Sequence, residues 1–400
     1  MSESIRTLTD LISRTSADRF LQTPSPEDMG LAEHLPFPFL AIVGQREMKL
    51  AILLALINPN MGGVLLIGPR GTGKTTAVRG ITELLPDVPR SRCSYGCLPE
   101  DITAGGIEAV CPDCARRFGE GEELTYLDKV RLIELPLNSR IEDVVGGIDE
   151  RAATHNRLRI DRGILSRADR NILFVDEVNL LDDEIVDSIL DASAQGIFTV
   201  HRGPLTATYR SRIALIGSMN PEEGRLRPQI LDRFGLRVIV RGLDETDERL
   251  EAYNRSIAHK NSPHLVIAEH QDATRVVREE IILAREKLAE VSLTKEAEAC
   301  GLRFISELGI HSLRAEITLF EAARAHAIAD GREAAEQEDV RKVAPMALRL
   351  RRSDFIEAYL TSQVGEEEEI ERLVAETQKK TGKQKRSKDK RKSASSKQAS

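Results

Sequence analysis

The 400 residues are 41% hydrophobic and 30% charged, with a formal net charge of −7 and no tryptophan. That length and apolar content suit two or three domains with a sizeable core, and no apolar run is long enough for a membrane-spanning helix, so a transmembrane helix is excluded. The first thirty residues carry Glu3, Asp10, Asp18, Glu27 and Asp28 and no apolar stretch, which argues against a transit or secretory peptide and makes the cytoplasm the expected compartment.

The first strong signal is Gly68-Pro69-Arg70-Gly71-Thr72-Gly73-Lys74-Thr75, a Gly-x4-Gly-Lys-Thr phosphate loop. It lies between the apolar run Gly63-Val-Leu-Leu-Ile67 and the helix-like Thr76-Ala-Val-Arg-Gly-Ile. Glycines let backbone N–H groups curl around phosphates, the lysine reaches their outer oxygens, and the threonine hydroxyl at a helix N-terminus serves Mg²⁺. The expected ligand is a nucleoside triphosphate, cradled from Gly68 to Thr75.

Downstream, 102 positions separate Lys74 from Asp176, so segments are inserted between the two halves of the site. The first insert, near 91–118, holds four of the five cysteines as Cys93-x3-Cys97 and, after thirteen intervening residues, Cys111-Pro-Asp-Cys114. Two close pairs across a loop suit a tetrahedral zinc site with four thiolate ligands. The same spacing also suits four reduced thiols, or a redox-active pair at Cys111 and Cys114. Cys300 reads as a small core residue. A second insert, from Leu132-Ile-Glu-Leu-Pro-Leu-Asn through Val144-Val-Gly-Gly-Ile148 to Leu158–Leu165, alternates short apolar runs with glycines. It reads as hairpin and helix decoration, either structural or partner-binding.

Asn171-Ile-Leu-Phe-Val-Asp-Glu-Val-Asn179 sets four apolar residues before two adjacent carboxylates. Such a run suits a central parallel strand buried on both faces, and functional groups gather at the carboxyl ends of such strands. Asp176 is then expected to hold Mg²⁺ through water, and Glu177 to polarise the attacking water. After the strand Arg212-Ile-Ala-Leu-Ile-Gly217, Asn220 offers an amide that orients that water. In Leu226-Arg-Pro-Gln-Ile-Leu-Asp-Arg233-Phe-Gly, Arg233 stands where an arginine reaches the neighbouring subunit's γ-phosphate.

From about residue 273 the periodicity turns helical, with Ile281, Ile282, Ala284 and Leu288 on one face and Leu302, Ile305 and Leu308 on another. There Arg314 follows the turn glycine Gly309 and a helix cap at Ser312, placed to fold back on the γ-phosphate. After the four-Glu run at 366–369, residues 379–400 hold ten Lys or Arg and one Asp. This net +9 in a chain of −7 leaves −16 for the rest, a poor surface for a nucleic-acid backbone. The tail has the composition of a disordered basic arm.

Together these motifs describe an α/β protein: an AAA+ P-loop core with a parallel sheet and hairpin inserts, then a small all-helical lid. The expected organisation is an N-terminal extension at 1–35, the α/β domain at 36–245, the lid at 246–355, and a charged linker with basic tail at 356–400.

Over roughly 36–352 the sequence resembles subunit I of magnesium chelatase, the family's AAA+ ATPase. The likeness rests on Pro38-Phe-Leu-Ala-Ile-Val-Gly-Gln45, the phosphate loop, the strand through Leu-Leu-Asp-Asp183, Pro221–Gly235, and the ending Ser312-Leu-Arg-Ala-Glu-Ile. It implies a hexameric ring with ATP and Mg²⁺ between subunits, a second AAA+ subunit with an adhesion-type domain, and a large porphyrin-binding subunit. It further implies Val43 and Gly44 beside the adenine, Lys74, Thr75 and Asp176 on phosphates and metal, Glu177 on water, Asn220 and Arg314 as sensors, and Arg233 as the finger. Pro69 departs from the acidic residue expected there. Two rivals share the motor: a MoxR-like chaperone or cobalt-chelatase ATPase, and a nucleic-acid-stimulated ring motor, against which the acidic body counts.

Overall fold

The computed structural model describes residues 35–352, apart from 94, 148–160, 204 and 225. The basic tail and the extension lie outside these residues, as do Ile148 and Leu158 of the second insert.

Five short parallel strands form the central sheet in the order β4 (Leu132–Glu134), β5 (Ile172–Val175), β8 (Ala214–Met219), β1 (Val64–Ile67) and β9 (Leu236–Ile239). Every residue of β1, β5 and β8 is buried, as expected of a parallel sheet covered on both faces. Because side chains alternate, successive residues serve two cores. Val64, Leu66, Ile172 and Phe174 join Phe39, Leu54 and the helical segments on one face. Leu65, Ile67, Leu173 and Val175 join Ile185, Ile189 and Phe234 on the other.

The remaining strands pair outside the sheet. β2 (Val88–Ser91) and β3 (Thr125–Asp128) are antiparallel and tie together the two ends of the cysteine-bearing segment. β6 (Ile197–Arg202) and β7 (Leu205–Arg210) form a hairpin leading into β8. Beyond β9 the described chain is helical, in segments Thr246–Asn261, Pro263–Lys287, Lys295–Glu307, Leu313–Ala329 and Gln337–Leu348, apart from the two-residue pair β10 (Ser292–Leu293) and β11 (Ala334–Ala335). Fully buried Ala322, Ala323, Ala325 and Ala327 let the helix Leu313–Ala329 sit close to its neighbours.

Two sequence expectations change. Leu132–Glu134 is the edge strand of the main sheet, hydrogen-bonded parallel to β5, and not decoration. Further along the same insert Val144 and Ile164 sit on the short helices Ile141–Val145 and Ile164–Arg167, while the hairpin expected there falls partly on 148–160, outside the described residues. In the helical part Ile305 is buried, whereas Leu302 and Leu308 are 51% and 47% exposed, so those three residues do not share a core face.

Candidate functional site

The phosphate loop connects β1 to the helix Lys74–Arg79. Gly71 and Gly73 have φ of +78° and +84°, and nothing lies within 4 Å of where a side chain would start at either. The loop therefore curls around open space in a backbone form that other residues resist. Lys74 is only 8% exposed, and its Nζ donates to the carbonyl oxygens of Gly68 (2.7 Å) and Pro69 (2.8 Å). Burial pushes its pKa down, against the pull of Asp176, Glu177 and Glu223. The Thr72 hydroxyl donates to the Pro69 carbonyl at 3.0 Å, tightening the same turn.

Asp176 and Glu177 follow β5, at the carboxyl end of the sheet. Thr75 Oγ1 donates to Asp176 Oδ2 at 3.2 Å, so two residues 101 positions apart meet. The Ser218 hydroxyl donates to the other carboxylate oxygen, Oδ1, and accepts from the Glu177 N–H at 3.2 Å. Ser218 was not anticipated; its signal is a polar residue inside the otherwise apolar β8, where it is 1% exposed. Glu177 adopts φ +51°, an uncommon conformation for a residue with a side chain, held by that amide bond.

Glu177 is engaged within the chain. Arg70 of the loop places NH2 3.4 Å from Glu177 and Nε 2.5 Å from Glu223. Asn220, 3% exposed at the end of β8, donates from Nδ2 to the same Glu223 oxygen at 3.0 Å. That amide bond, with Arg70 and against burial, holds the Glu223 carboxyl below the usual range. Glu223 is a second residue that motif spacing did not single out.

Gly44 and the start of the loop both meet the stretch that follows β9. Gly68 backs onto the Val240 carbonyl, Gln45 Nε2 donates to the Arg241 carbonyl at 2.6 Å, and Leu243 and Glu248 close over Gly44. A side chain on Gly44, at φ +62°, would meet Leu243 at 2.7 Å.

The two remaining arginines are directed elsewhere in this single chain. Arg233, last residue of the helix Pro228–Arg233, pairs with Asp187 (3.1 Å) and Asp191 (2.9 Å) on the helix Asp183–Gln195. Arg314, 56% exposed, lies 3.5 Å from Asp232. Ser312 occupies the N-cap position, yet its hydroxyl donates to Asp232 Oδ2 at 2.9 Å instead of capping the helix. Burial works to raise the Asp232 pKa, but Ser312, Arg351 and Arg237 outweigh it and hold it low. The four cysteines Cys93, Cys97, Cys111 and Cys114 do come together, with all sulfurs within 4.8 Å of one another. Among the described residues no helix is long and apolar enough to cross a membrane.

Comparison with known proteins places this arrangement. A family model described as the MCM P-loop domain matches residues 145–252, and one described as the AAA lid domain matches 305–373. The magnesium-chelatase subunit ChlI homolog of Methanocaldococcus jannaschii is 39% identical over 348 residues, covering 85% of this chain and 91% of that protein. The chain belongs to the magnesium-chelatase subunit I family of AAA+ ATPases. The 38 kDa magnesium-chelatase subunit of Acidiphilium rubrum is likewise 39% identical, over 82% of this chain and 95% of its own length. A putative ATPase from Cytophaga hutchinsonii, at 17% identity, superposes with a TM-score of 0.51 over 82% of this chain and 89% of its own, and so shares the fold. As a member of the subunit I family the chain is a P-loop ATPase that uses ATP with Mg²⁺.

Proposed function

We propose that this chain is the motor of a metal chelatase: a ring of copies, most simply a hexamer, that cleaves ATP at its seams and drives Mg²⁺ insertion into protoporphyrin IX. The porphyrin belongs on a large partner subunit, and a second AAA+ subunit with an adhesion-type domain relays the movement. The observation that carries this reading is the 39% identity spanning 91% of a magnesium-chelatase relative, phosphate loop to helical end included.

The site fits ATP and Mg²⁺. The open curl at Gly71 and Gly73 has room for phosphates, and Thr75 and Asp176 already share a hydrogen bond at the place where oxygen ligands to Mg²⁺ are needed. Bound Mg²⁺ supplies neutralisation of phosphate charge. Lys74 would exchange its bonds to the Gly68 and Pro69 carbonyls for phosphate oxygens. Glu177, its backbone fixed through Ser218, would orient the attacking water together with Asn220. For that, Arg70 has to leave Glu177 and Glu223. Val43 and Gly44 would border the adenine, beside Leu243 and Glu248. Arg233, turned toward Asp187 and Asp191, is available to a neighbouring copy's nucleotide, and Arg314 would couple the helical part to cleavage.

The test mixes the purified chain with second and large chelatase subunits and follows ATP-dependent Mg²⁺ entry into protoporphyrin by fluorescence. Loss of insertion with Glu177→Gln supports the reading; full insertion without this chain, or none with the complete set, sinks it.

A further inference from the structure

We propose that Cys93, Cys97, Cys111 and Cys114 bind one Zn²⁺ as a structural four-thiolate site that braces the amino ends of β5 and β8. This inference concerns the insert alone and does not rest on the chelatase reading.

The four sulfurs already cluster within 4.8 Å of each other. A tetrahedral Zn–S distance of about 2.3 Å corresponds to sulfurs about 3.8 Å apart, so closure needs less than a side-chain rotation. Backbone geometry supports thiolates: the Cys97 N–H points at Cys93 Sγ and the Cys111 N–H at Cys97 Sγ, both at 3.3 Å. Such N–H···S bonds are the outer-shell contacts that orient sulfur ligands on a metal. Ser91 adds its hydroxyl, 3.3 Å from Cys93 Sγ. Charge is also provided for. Four thiolates around Zn²⁺ leave a net −2, and the Arg162 guanidinium lies against Gly96, between Cys93 and Cys97.

The insert has little else to hold it. Its own apolar cluster is small, with Cys97, Val110, Cys114 and Leu124 buried at its centre. Four ligands from one short segment would replace the missing core, as structural zinc does in other small units. What the metal would hold in place is visible next to Cys97: Glu100 pairs with Arg170 (2.5 Å) and Arg212 (3.2 Å), and Asp101 with Arg210 (2.5 Å). Arg170 precedes β5, while Arg210 ends the β6–β7 hairpin and Arg212 precedes β8. The brace therefore lies at the opposite end of the strands from Asp176 and Asn220.

The test measures metal on full-length protein purified without added zinc. We expect about one zinc per chain, released by a mercurial reagent as four thiols are consumed, and lost in Cys114→Ser but kept in Cys300→Ser. Cobalt exchanged into the wild type should give the absorption of a tetrahedral cobalt thiolate, which needs no variant to fold. Metal stripping should open residues 91–124 to protease before it affects ATP binding. A wild type with four freely titrating thiols and no zinc, a disulfide found by mass spectrometry, or iron in place of zinc would each overturn the proposal.

Discussion

Arg351 clamps Asp232, the residue just before Arg233. Its guanidinium, with no exposed side-chain surface, donates to Asp232 Oδ1 at 2.8 Å and to the carbonyl oxygens of Asp232 (3.1 Å) and Gly235 (3.1 Å). The far end of the helical part thus fixes the turn that carries Arg233. Ser312 and Arg314 converge on the same carboxylate, so three residues of the helical part hold that turn.

Arg351→Ala should destabilise the fold by roughly 3 kcal/mol, because the half-buried Asp232 carboxylate and several carbonyls lose a fully buried donor at once. Arg351→Lys should recover only part of this, since an ammonium cannot match the planar fork. Denaturant titration checks both. Wild-type stability in the alanine variant would show that the clamp is incidental.

Replacing Lys74 by Ala should abolish nucleotide binding, whereas Glu177→Gln should bind ATP normally and turn it over at least 100-fold more slowly, a drop of about 10² being typical for a lost general base. Equilibrium binding with a fluorescent ATP analogue and steady-state phosphate release separate the two. Equal loss of binding in both variants would contradict the division of roles between loop and strand end.

Arg233→Ala should keep ATP affinity and lower turnover by about 10³, the lower range for a finger that stabilises transition-state charge. Its ion pairs with Asp187 and Asp191 are half-exposed and contribute little to stability, so the fold should survive. Mixing this variant with Lys74→Ala should restore some activity, because a seam can then combine an intact loop with an intact finger. Mixed samples as inactive as either parent alone would argue that Arg233 works within its own chain.

Much of this site was legible because sequence-local rules govern it. A phosphate loop needs its glycines and Lys74 at fixed spacing, and β5 needs an unbroken apolar run, so both are legible in the sequence. Ser218 and Glu223 were not: each acts through a partner distant in sequence or through a loop turn, and a lone serine in a strand carries no periodic signal. Leu132–Glu134 was misread for a related reason. Three residues are too few to show a strand's pattern, and only pairing with β5 makes them one. Arg351 was invisible because its function is to neutralise Asp232, 119 positions away.

Freeing Arg70 should raise basal turnover. With Arg70→Ala, Glu177 and Glu223 lose the guanidinium that joins them, and Glu177 no longer has to be released before it can orient water. Exposed pairs of this kind cost little to break, so a rise of about two-fold to five-fold without a change in melting temperature is expected. Reduced turnover with intact ATP binding would instead assign Arg70 to transition-state charge.

Acid sensitivity gives a last test, through Asp339. This carboxylate has no exposed side-chain surface; it accepts from Arg332 NH1 at 2.6 Å, from the Glu336 N–H at 2.8 Å, and contacts His326 Nδ1 at 2.7 Å. Burial alone would raise its pKa, but these donors, Arg332 foremost, hold it below the ordinary value. A depressed carboxylate stabilises the fold fully above its unfolded pKa of about 3.9, and the contribution fades as pH falls through the lower folded value. Wild type should therefore lose stability steeply below about pH 4. Asp339→Asn should be less stable than wild type at neutral pH, because Arg332 and the amide lose a charged acceptor, and the gap should narrow on acidification. Denaturant midpoints measured from pH 7 down to about pH 3 decide it: a gap that stays constant with pH would mean Asp339 contributes through packing and not through its charge.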